Sequence, residues 1–349
     1  MTQAQNGTDT STDGTDPVGP DAGAAGARDR LRARFLRWWR PAGMWRRGIV
    51  TAVVAVVLAG LLLFHADVPN RVGNLGSLLE TFLPWLGLLV PVLLVVALLR
   101  RSVTALIAVL LPTAVWFNLF GGLLTDKAGT GGNLTVLTHN VNADNPDPDG
   151  TAKDVIAAHA DVVALEELAA GQVARYSRDL AAAYPYHSVQ GTVGLWSKYP
   201  LSSVRPVDIR LGWTRAMRAT AATPHGKVAV YVAHMPSVRV KFDAGFTAGQ
   251  RDRAADALGS AIAAETLPHV VLLGDLNGTM NDRALASVTS QMRSTQGAAG
   301  NGMGFSWPAS FPMARIDQIM VKGIEPVSSW TLPRTGSDHL PVAARLDVP

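Results

Sequence analysis

Hydrophobic and polar residues follow two very different patterns along this chain. The stretches Gly48–Ala66, Thr81–Leu99 and Ser102–Thr125 contain no charged residue. Each reaches the roughly 20 residues that a helix needs to cross a hydrocarbon core of about 30 Å. The buried core helix of a globular protein could imitate one such stretch, but three in succession predict three transmembrane helices within residues 48–125.

The residues before the first apolar stretch predict a tail and a basic arm over residues 1–47. Residues 1–27 are rich in Thr, Asp, Gly and Ala without apolar periodicity, which is typical of disorder. Eight arginines and several tryptophans follow between Arg28 and Arg47. DNA binding is one interpretation of this pattern, but next to an apolar segment it favours contact with anionic lipid.

The arginine bias also predicts an orientation. The N-terminal arm and the turn at Arg100 and Arg101 are arginine-rich, and arginine-rich flanks stay cytoplasmic. Three crossings would then place the N-terminus in the cytoplasm and residues 134–349 outside a multi-pass plasma-membrane protein.

A Gly-rich linker at 126–133 leads into a different pattern over residues 134–349. Short apolar or alternating runs predict strands, and three amphipathic stretches predict helices. The sequence therefore predicts one α/β domain with a mixed or antiparallel sheet. The predicted strands are Leu134–Asn142, Asp161–Leu165, Gly194–Ser197, Lys227–Ala233, Val270–Leu273, Ile316–Val321 and Val342–Leu346, and the predicted helices are Thr151–Ala160, Gly171–Ala183 and Gly249–Glu265.

Composition narrows the function. The chain is 48% hydrophobic and 17% charged, as expected for a membrane protein, and it has no cysteine, so a metal would bind oxygen or imidazole ligands. The net charge of +4 suggests nucleic acid as a partner, but residues 134–349 contain 19 Lys/Arg and 19 Asp/Glu. The basic excess lies in the N-terminal arm, and the neutral domain lacks the charge typical of a non-specific DNA binder.

Polar residues follow several predicted strands, where layered α/β domains place their sites. Each alone is equally explained by a helix cap or a turn. Together they indicate hydrolysis of a phosphate ester, because they combine hard oxygen donors suited to Mg²⁺ or Mn²⁺, a carboxylate–imidazole pair that can act as a base, and a second imidazole. The donors are Glu167, Asp275, Asn140 and Asn277, the pair is Asp317 with His339 beside Asp338, and the second imidazole is His234.

Ordered motifs give the sequence a family resemblance. They are HNVN at 139–142, DVVALEE at 161–167, WSKYPL at 196–201, VAHMPS at 232–237, GDLN at 274–277, RIDQI at 315–319 and SDHLPV at 337–342. In this order they resemble the endonuclease/exonuclease/phosphatase superfamily, which includes DNase I. The resemblance implies a two-layered β-sandwich flanked by helices, with the site at one end of the sheets.

The resemblance also implies roles by position. His339 would be the general base, with Asp317 orienting it. Asp275 and Asn277 would position nucleophile and phosphate, and His234 would bind the phosphoryl group. The implied ligands of Mg²⁺ or Mn²⁺ are Glu167, Asn140 and Asp338.

Two positions depart from the family pattern. Glu166 replaces the usual Gln before the metal-binding Glu, and Gln318 replaces an aromatic residue after the RID motif. We interpret Glu166 as a solvated neighbour of the site and Gln318 as a change in packing.

The linker suggests a substrate, since a tether of about eight residues keeps the site beside the bilayer and favours a lipid-linked phosphate. Three spans before such a domain resemble the VanJ-type proteins of actinomycetes, which implies action on undecaprenyl pyrophosphate or a related cell-wall lipid and resistance to the glycopeptide teicoplanin.

Two alternatives remain open. An extracellular nuclease would need a basic groove, for which the candidates are Arg215, Arg218, Arg239, Lys241, Arg251 and Arg253. These residues could equally be ordinary surface charges or phosphate clamps. The second alternative is a non-catalytic membrane sensor or scaffold.

Overall fold

The computed structural model describes residues 28–34, 43–70, 74–237 and 245–349. The predicted disorder of residues 1–27 therefore lies outside the described residues. Within the basic arm, helix α1 covers 28–34.

Four further helices precede the linker. They are α2 (Ile49–Leu63), α3 (Leu75–Thr81), α4 (Leu89–Leu99) and α5 (Val103–Phe120), with 3₁₀ segments at His65–Asp67, Leu83–Leu88 and Gly121–Leu123. The start of α5 is fixed by a side-chain cap, since Ser102 Oγ accepts a hydrogen bond from the Ala105 amide at 3.2 Å.

The prediction of three transmembrane helices is not confirmed. Among the described residues, Val103–Leu123 is the one unbroken helix long and apolar enough to cross a membrane. At the start of the second predicted span, the chain bends by 70° between Leu75–Thr81 and Leu83–Leu99, and these two helices together form a broken span or a re-entrant loop. Helix α2 has 15 residues and spans only about 22 Å at 1.5 Å per residue. The number of membrane crossings stays a prediction. The placement of residues 134–349 outside the cell depends on it and also stays a prediction.

The N-terminal helices pack on one side and expose apolar side chains on the other. Leu58 and Leu62 of α2 pack with Leu93 of α4 and Val109 of α5. On the outer faces, large apolar residues such as Leu99 are exposed. An apolar outer surface of this extent is typical of a membrane or protein contact.

Residues 134–349 form two six-stranded sheets with helices on their outer faces. The strands are β1 (Leu134–Asn140), β2 (Val162–Glu166), β3 (Tyr186–Gln190), β4 (Val193–Ser197), β5 (Leu201–Pro206), β6 (Ala216–Thr223), β7 (Gly226–Ala233), β8 (Val270–Asp275), β9 (Arg293–Ser294), β10 (Asp317–Lys322), β11 (Glu325–Thr331) and β12 (Val342–Asp347). The helices are α6 (Pro148–Ala157), α7 (Ala170–Leu180), α8 (Gly245–Ala263), α9 (Ala286–Thr289) and α10 (Thr295–Ala299), with a 3₁₀ turn at Arg283–Leu285.

The two sheets share one pairing pattern. Their strand orders are β11-β12-β1-β2-β4-β3 and β5-β6-β7-β8-β10-β9. Each sheet has a parallel pair at its centre, β1 with β2 and β7 with β8, flanked by antiparallel pairs. This structural repeat is not visible in the sequence, because pairing depends on backbone hydrogen bonds rather than on particular side chains.

The core fills the space between the sheets and also covers their outer faces. Val136 and Val271 point into the shared core, whereas their neighbours Leu137 and Leu272 point outward under the helices. Because side chains alternate along a strand and both faces are covered, most residues of the central strands are buried. These were the strands that sequence predicted. The sequence missed β3, β5, β6, β9 and β11. None of the residues of β3 and β5 is buried, and β6 is rich in Ala and Thr.

The N-terminal helices also contact the β-sandwich directly. Trp85 Nε1 donates a hydrogen bond to the Met313 carbonyl at 2.7 Å, and its ring stacks on Phe305 with centroids 5.6 Å apart. Thr279 Oγ1 donates to the Glu80 carbonyl at 3.1 Å. The apolar segment is therefore packed against the domain as well as tethered to it.

Candidate active site

One end of the sandwich collects the polar residues that follow the central strands. Asn140 ends β1, Asp275 ends β8 and Asp317 begins β10, directly opposite Asp275 in the antiparallel register. Glu167 and Asn277 follow their strands with φ of 56° and 47°. A left-handed conformation costs a non-glycine residue about 1–2 kcal/mol and marks functional sites. The turns therefore orient the side chains of Glu167 and Asn277 towards the site, at the cost of local backbone strain.

His339 and Asp317 form a buried hydrogen-bonded pair. His339 Nδ1 lies 2.9 Å from Asp317 Oδ2 and 3.1 Å from Oδ1. Ser306 Oγ donates a further hydrogen bond to Asp317 Oδ2 at 2.6 Å. Ser337 Oγ accepts from the His339 amide at 3.1 Å and donates to the Asn140 carbonyl at 2.7 Å. The ring is thus held from several sides, with Nε2 directed towards Asp275.

Asp275 lies at the centre of the cluster. Its Oδ2 accepts hydrogen bonds from Asn140 Nδ2 at 3.0 Å and Asn277 Nδ2 at 3.1 Å, and its Oδ1 accepts from the Asn277 amide at 2.8 Å. His339 Nε2 lies 3.9 Å from Asp275 Oδ2. Burial is the main cause that raises the pKa of Asp275, to about 7, against the opposing charge of His339. A buried carboxylate of this kind attracts a cation.

The pair of His339 and Asp317 is strongly polarised. Burial alone would lower the pKa of His339, but the charges of Asp317 and Asp275 and the hydrogen bond that the ring donates to Asp317 raise it to about 10. Burial works in the opposite direction on Asp317, but the charge and hydrogen bond of His339 outweigh it and lower the pKa of that carboxyl. At neutral pH a ring with this pKa is protonated, so it would act as a base once a cation at Asp275 offsets one of the charges that raise its pKa.

His234, Glu167 and Arg215 form the opposite wall of the cluster. His234 Nε2 lies 3.4 Å from Glu167 Oε1 and 3.6 Å from Asp275 Oδ2. Its Nε2 also contacts Arg215 Nη2. Burial, together with the charges of Arg215 and His339, lowers the pKa of His234 well below its usual value. The imidazole is therefore neutral, and the positive charge on this wall belongs to Arg215.

The structure corrects the interpretation of Glu166. It is fully buried rather than solvated, and its Oε1 accepts a hydrogen bond from Thr138 Oγ1 at 2.8 Å. Burial raises its pKa well above the ordinary value of a glutamic acid. The alternation of strand β2 explains the difference, because Glu166 is the last strand residue and points inside, whereas Glu167 lies in the turn.

Asp338 lies at the rim. Its side chain is exposed, and its Oδ1 accepts a hydrogen bond from Asn142 Nδ2 at 3.1 Å. The structure therefore brings seven of the predicted residues into one cluster and leaves Asp338 beside it. Asn140, Asp275, His234, Asp317 and His339 are buried, and Glu167 and Asn277 are partly exposed. Metal ligation by Asp338 stays a prediction, as do the other individual roles.

The donor set fits a hard divalent cation. Ligand atoms of Asp275, Asp317 and His339 lie within 4.8 Å of one another. Because Asp317 and His339 already bond each other, we favour Asp275 and Glu167 as the carboxylates that would hold Mg²⁺ or Mn²⁺, with Asn140 beside them.

The basic groove that a nuclease would need does not form from the described arginines. Arg218 Nε is buried 2.9 Å from Glu265 Oε2, and Arg251 Nη2 is buried 2.7 Å from Asp282 Oδ2. Arg215 lies in the cluster, and Arg253 is exposed. Arg239 and Lys241 lie outside the described residues.

Several supporting residues were missed by the sequence interpretation. Arg215 was considered only as part of a basic groove, a surface charge or a phosphate clamp, and Ser306 and Thr138 were not considered at all. Ser337 precedes the DH pair and was visible only as part of the SDHLPV motif. Their roles depend on partners distant in sequence, so a local pattern cannot reveal them.

Comparisons with known proteins agree with this geometry. The model of the Endonuclease/Exonuclease/phosphatase family matches residues 137–339. Among solved structures, an endonuclease/exonuclease/phosphatase of Beutenbergia cavernae is 20% identical with a TM-score of 0.50, covering 62% of this chain and 72% of that one. Beta toxin of Staphylococcus aureus is 15% identical with a TM-score of 0.51, covering 61% and 99%. Humanized D. rerio TDP2 is 18% identical with a TM-score of 0.52, covering 61% and 98%. At these identities the similarity shows the fold alone, and no curated protein matches the chain.

Proposed function

Because this chain belongs to the endonuclease/exonuclease/phosphatase family, whose hydrolases act on phosphoester bonds, we propose that it is a membrane-anchored, metal-dependent phosphoesterase. The observation that supports this most strongly is the buried His339–Asp317 pair facing Asp275. A base, a carboxylate for a cation and neutral amides around one point are the groups that phosphoester hydrolysis needs.

The chain's own residues divide the reaction between them. With Nδ1 held by Asp317, His339 Nε2 is the free ring nitrogen that takes a proton from the attacking water. Asn277 is held by Asp275 and by the Met235 carbonyl at 2.9 Å, so its amide is fixed beside the reacting phosphate. Arg215 provides the positive charge that stabilises the anionic transition state. Asp275 and Glu167 would hold a divalent cation, which would supply Lewis-acid polarisation of the phosphate.

We propose a lipid-linked phosphate or pyrophosphate as the substrate, with undecaprenyl pyrophosphate as the first candidate. The support is architectural. The apolar helices pack on the domain through Trp85 and Thr279, and Val103–Leu123 is long and apolar enough to enter a membrane. A site attached in this way works close to the bilayer.

Phosphate release tests the proposal. The full chain in detergent should release phosphate from undecaprenyl pyrophosphate in Mg²⁺ or Mn²⁺ and lose the activity in EDTA. Sphingomyelin, phosphoinositides and DNA serve as the comparison panel. The variant His339→Ala controls for contaminating hydrolases. Equal or faster cleavage of plasmid DNA would make the nuclease the better assignment.

Resistance to teicoplanin would be a consequence of this activity and can be tested separately. Expression in a sensitive host should raise the inhibitory concentration for the wild type and not for His339→Ala. If His339→Ala and Asp275→Ala both retained the resistance, the protein would act as a sensor or scaffold instead.

A further inference from the structure

A second cavity lies at the junction between the apolar helices and the β-sandwich. It has a volume of about 320 Å³, within the roughly 300–1,000 Å³ of typical small-molecule sites. Its walls come from the bend at Pro84, the end of α5 at Phe120, and the segment around Met303 and Phe305. It is separate from the cluster around Asp275, none of whose residues lines it.

The inner end of this junction cavity is polar and positively charged. Its charged lining residues are Arg315 and Lys127, both cationic. Arg315 is buried, and its Nη1 donates to the Gly304 carbonyl at 2.9 Å, but its Nε is a buried donor that finds no partner among the residues described. Gln296 and Gln318 also line the cavity, and the Oε1 atom of each is buried without a described partner.

Unsatisfied buried polar atoms are rare, because each one costs about 1–3 kcal/mol. Three of them around one cavity indicate that it takes a polar ligand. The two cations make that ligand an anion, and the glutamine oxygens favour one that also carries a hydroxyl.

The outer side of the junction cavity continues into an apolar groove. This groove has a volume of about 350 Å³ and runs between α4 and α5, past Val90, Thr113 and Trp116. It shares Pro84, Met303 and Phe305 with the junction cavity. One continuous surface therefore joins an apolar channel on the helices to a cationic pocket in the domain.

We propose that the junction binds one anionic membrane lipid, with its phosphate at Arg315 and Lys127 and a hydrocarbon chain along the groove between α4 and α5. This inference rests on the membrane attachment in the proposed function. The lipid site lies outside the reacting cluster, although Arg315 is only two residues from Asp317 and Phe305 directly precedes Ser306, which holds Asp317. Lipid occupancy would therefore stabilise the segments that carry the catalytic pair.

The test measures lipid binding by native mass spectrometry. The full chain carrying His339→Ala is used in detergent, so that turnover does not remove the lipid. Dioleoyl phosphatidic acid should be retained about tenfold more strongly than dioleoyl phosphatidylcholine. Thr113→Trp, which fills the groove, should weaken retention about tenfold, whereas Leu110→Trp on the exposed face of the same helix should not. Lys127→Gln should weaken it about threefold, and Lys227→Gln, which removes an exposed charge far from the cavity, should not.

Each contrary result overturns the proposal in a recognisable way. Equal retention of both lipids would mean that the helices bind the hydrocarbon chains without selectivity for the headgroup. Displacement of phosphatidic acid by millimolar inorganic phosphate would mean that the cavity takes a free anion. Unchanged lipid binding by the Thr113→Trp variant would mean that the hydrocarbon chain of the lipid does not lie in the groove between α4 and α5. Phosphate release by the wild type is measured independently, so failure of lipid binding and failure of the proposed hydrolysis are distinguishable.

Discussion

His339 Nδ1 lies 2.9 Å from Asp317 Oδ2, and both side chains are buried at the end of the sandwich. The hydrogen bond fixes the ring so that Nε2 is directed to the centre of the cluster. The charge of Asp317 also contributes to the raised pKa of His339, which reaches about 10. Orientation and basicity of the proposed base thus depend on the same neighbour.

We expect Asp317→Asn to lower kcat by about 10²–10⁴-fold, the usual contribution of a positioned general base. The ring would lose its orientation and the charge that raises its pKa. The measurement is the pH dependence of kcat. In this profile, the limb that reports the titration of His339 should shift to lower pH. Asp347→Asn, which changes an exposed carboxylate at the end of β12, is the control. An unchanged profile would contradict the role of the pair.

Cation binding should weaken in mildly acidic solution. Burial raises the pKa of Asp275 to about 7, so the proton competes with Mg²⁺ or Mn²⁺ below that pH. We expect the affinity for Mn²⁺ to fall about tenfold for each pH unit below 7. Titration calorimetry at pH values from 5 to 8, on both sides of the pKa of Asp275 at about 7, measures the Mn²⁺ affinity. Asp275→Asn should abolish binding, and affinity independent of both changes would place the metal elsewhere.

The pair of Arg218 and Glu265 should stabilise the second sheet against α8. Burial would raise the pKa of Glu265, but hydrogen bonds from Arg218, the Leu267 amide and Tyr231 lower it to about 2. The pKa of Glu265 is lower in the folded protein than its ordinary value of 4.5. The ionised carboxylate therefore stabilises the fold above pH 4.5, and this stabilisation is lost as the pH falls through about 2.

Glu265→Gln should therefore lower the free energy of unfolding at neutral pH by about 3–5 kcal/mol, because Arg218 would stay buried without its counter-charge. Glu325→Gln breaks the exposed pair with Arg293 and should cost about 0–1 kcal/mol. Thermal unfolding of the two variants compares them directly, and equal losses would disprove the difference in burial.

Arg251 should support Asn277 rather than bind nucleic acid. Its Nη1 donates to the Asn277 carbonyl at 2.8 Å, while its Nη2 bonds Asp282 and Ser77 Oγ of α3. Arg251→Met should destabilise the protein by about 3–5 kcal/mol by leaving Asp282 buried and unpaired, and should lower kcat with it.

The matched control for Arg251 is Arg253→Met, two residues along the same helix and exposed. It should change stability by less than about 0.5 kcal/mol. Thermal unfolding, kcat and DNA affinity are measured for both variants. If Arg251→Met kept its stability and lost DNA affinity, the guanidinium would line a nucleic-acid groove.

The sequence by itself determined the chemical groups and much of the α/β framework. Val270–Asp275 is recognisable as a strand because its apolar run suits a strand buried on both faces, and Leu134–Asn140 because it alternates and is rich in β-branched residues. The polar residues at their ends stand out against that background. His339, Asp317 and Asp275 were therefore identifiable before any fold was known.

Only the tertiary structure decided which charges are buried and where the apolar segment breaks. Arg218 meets Glu265 across 47 residues and Arg251 meets Asp282 across 31, so neither arginine could be distinguished from a surface charge by its neighbours in sequence. The second predicted span is uniformly apolar, and hydropathy does not record that the chain turns by 70° where Leu75–Thr81 meets Leu83–Leu99. Hydropathy and motif spacing are local properties, whereas burial, pairing and bending arise from contacts between residues far apart in the chain.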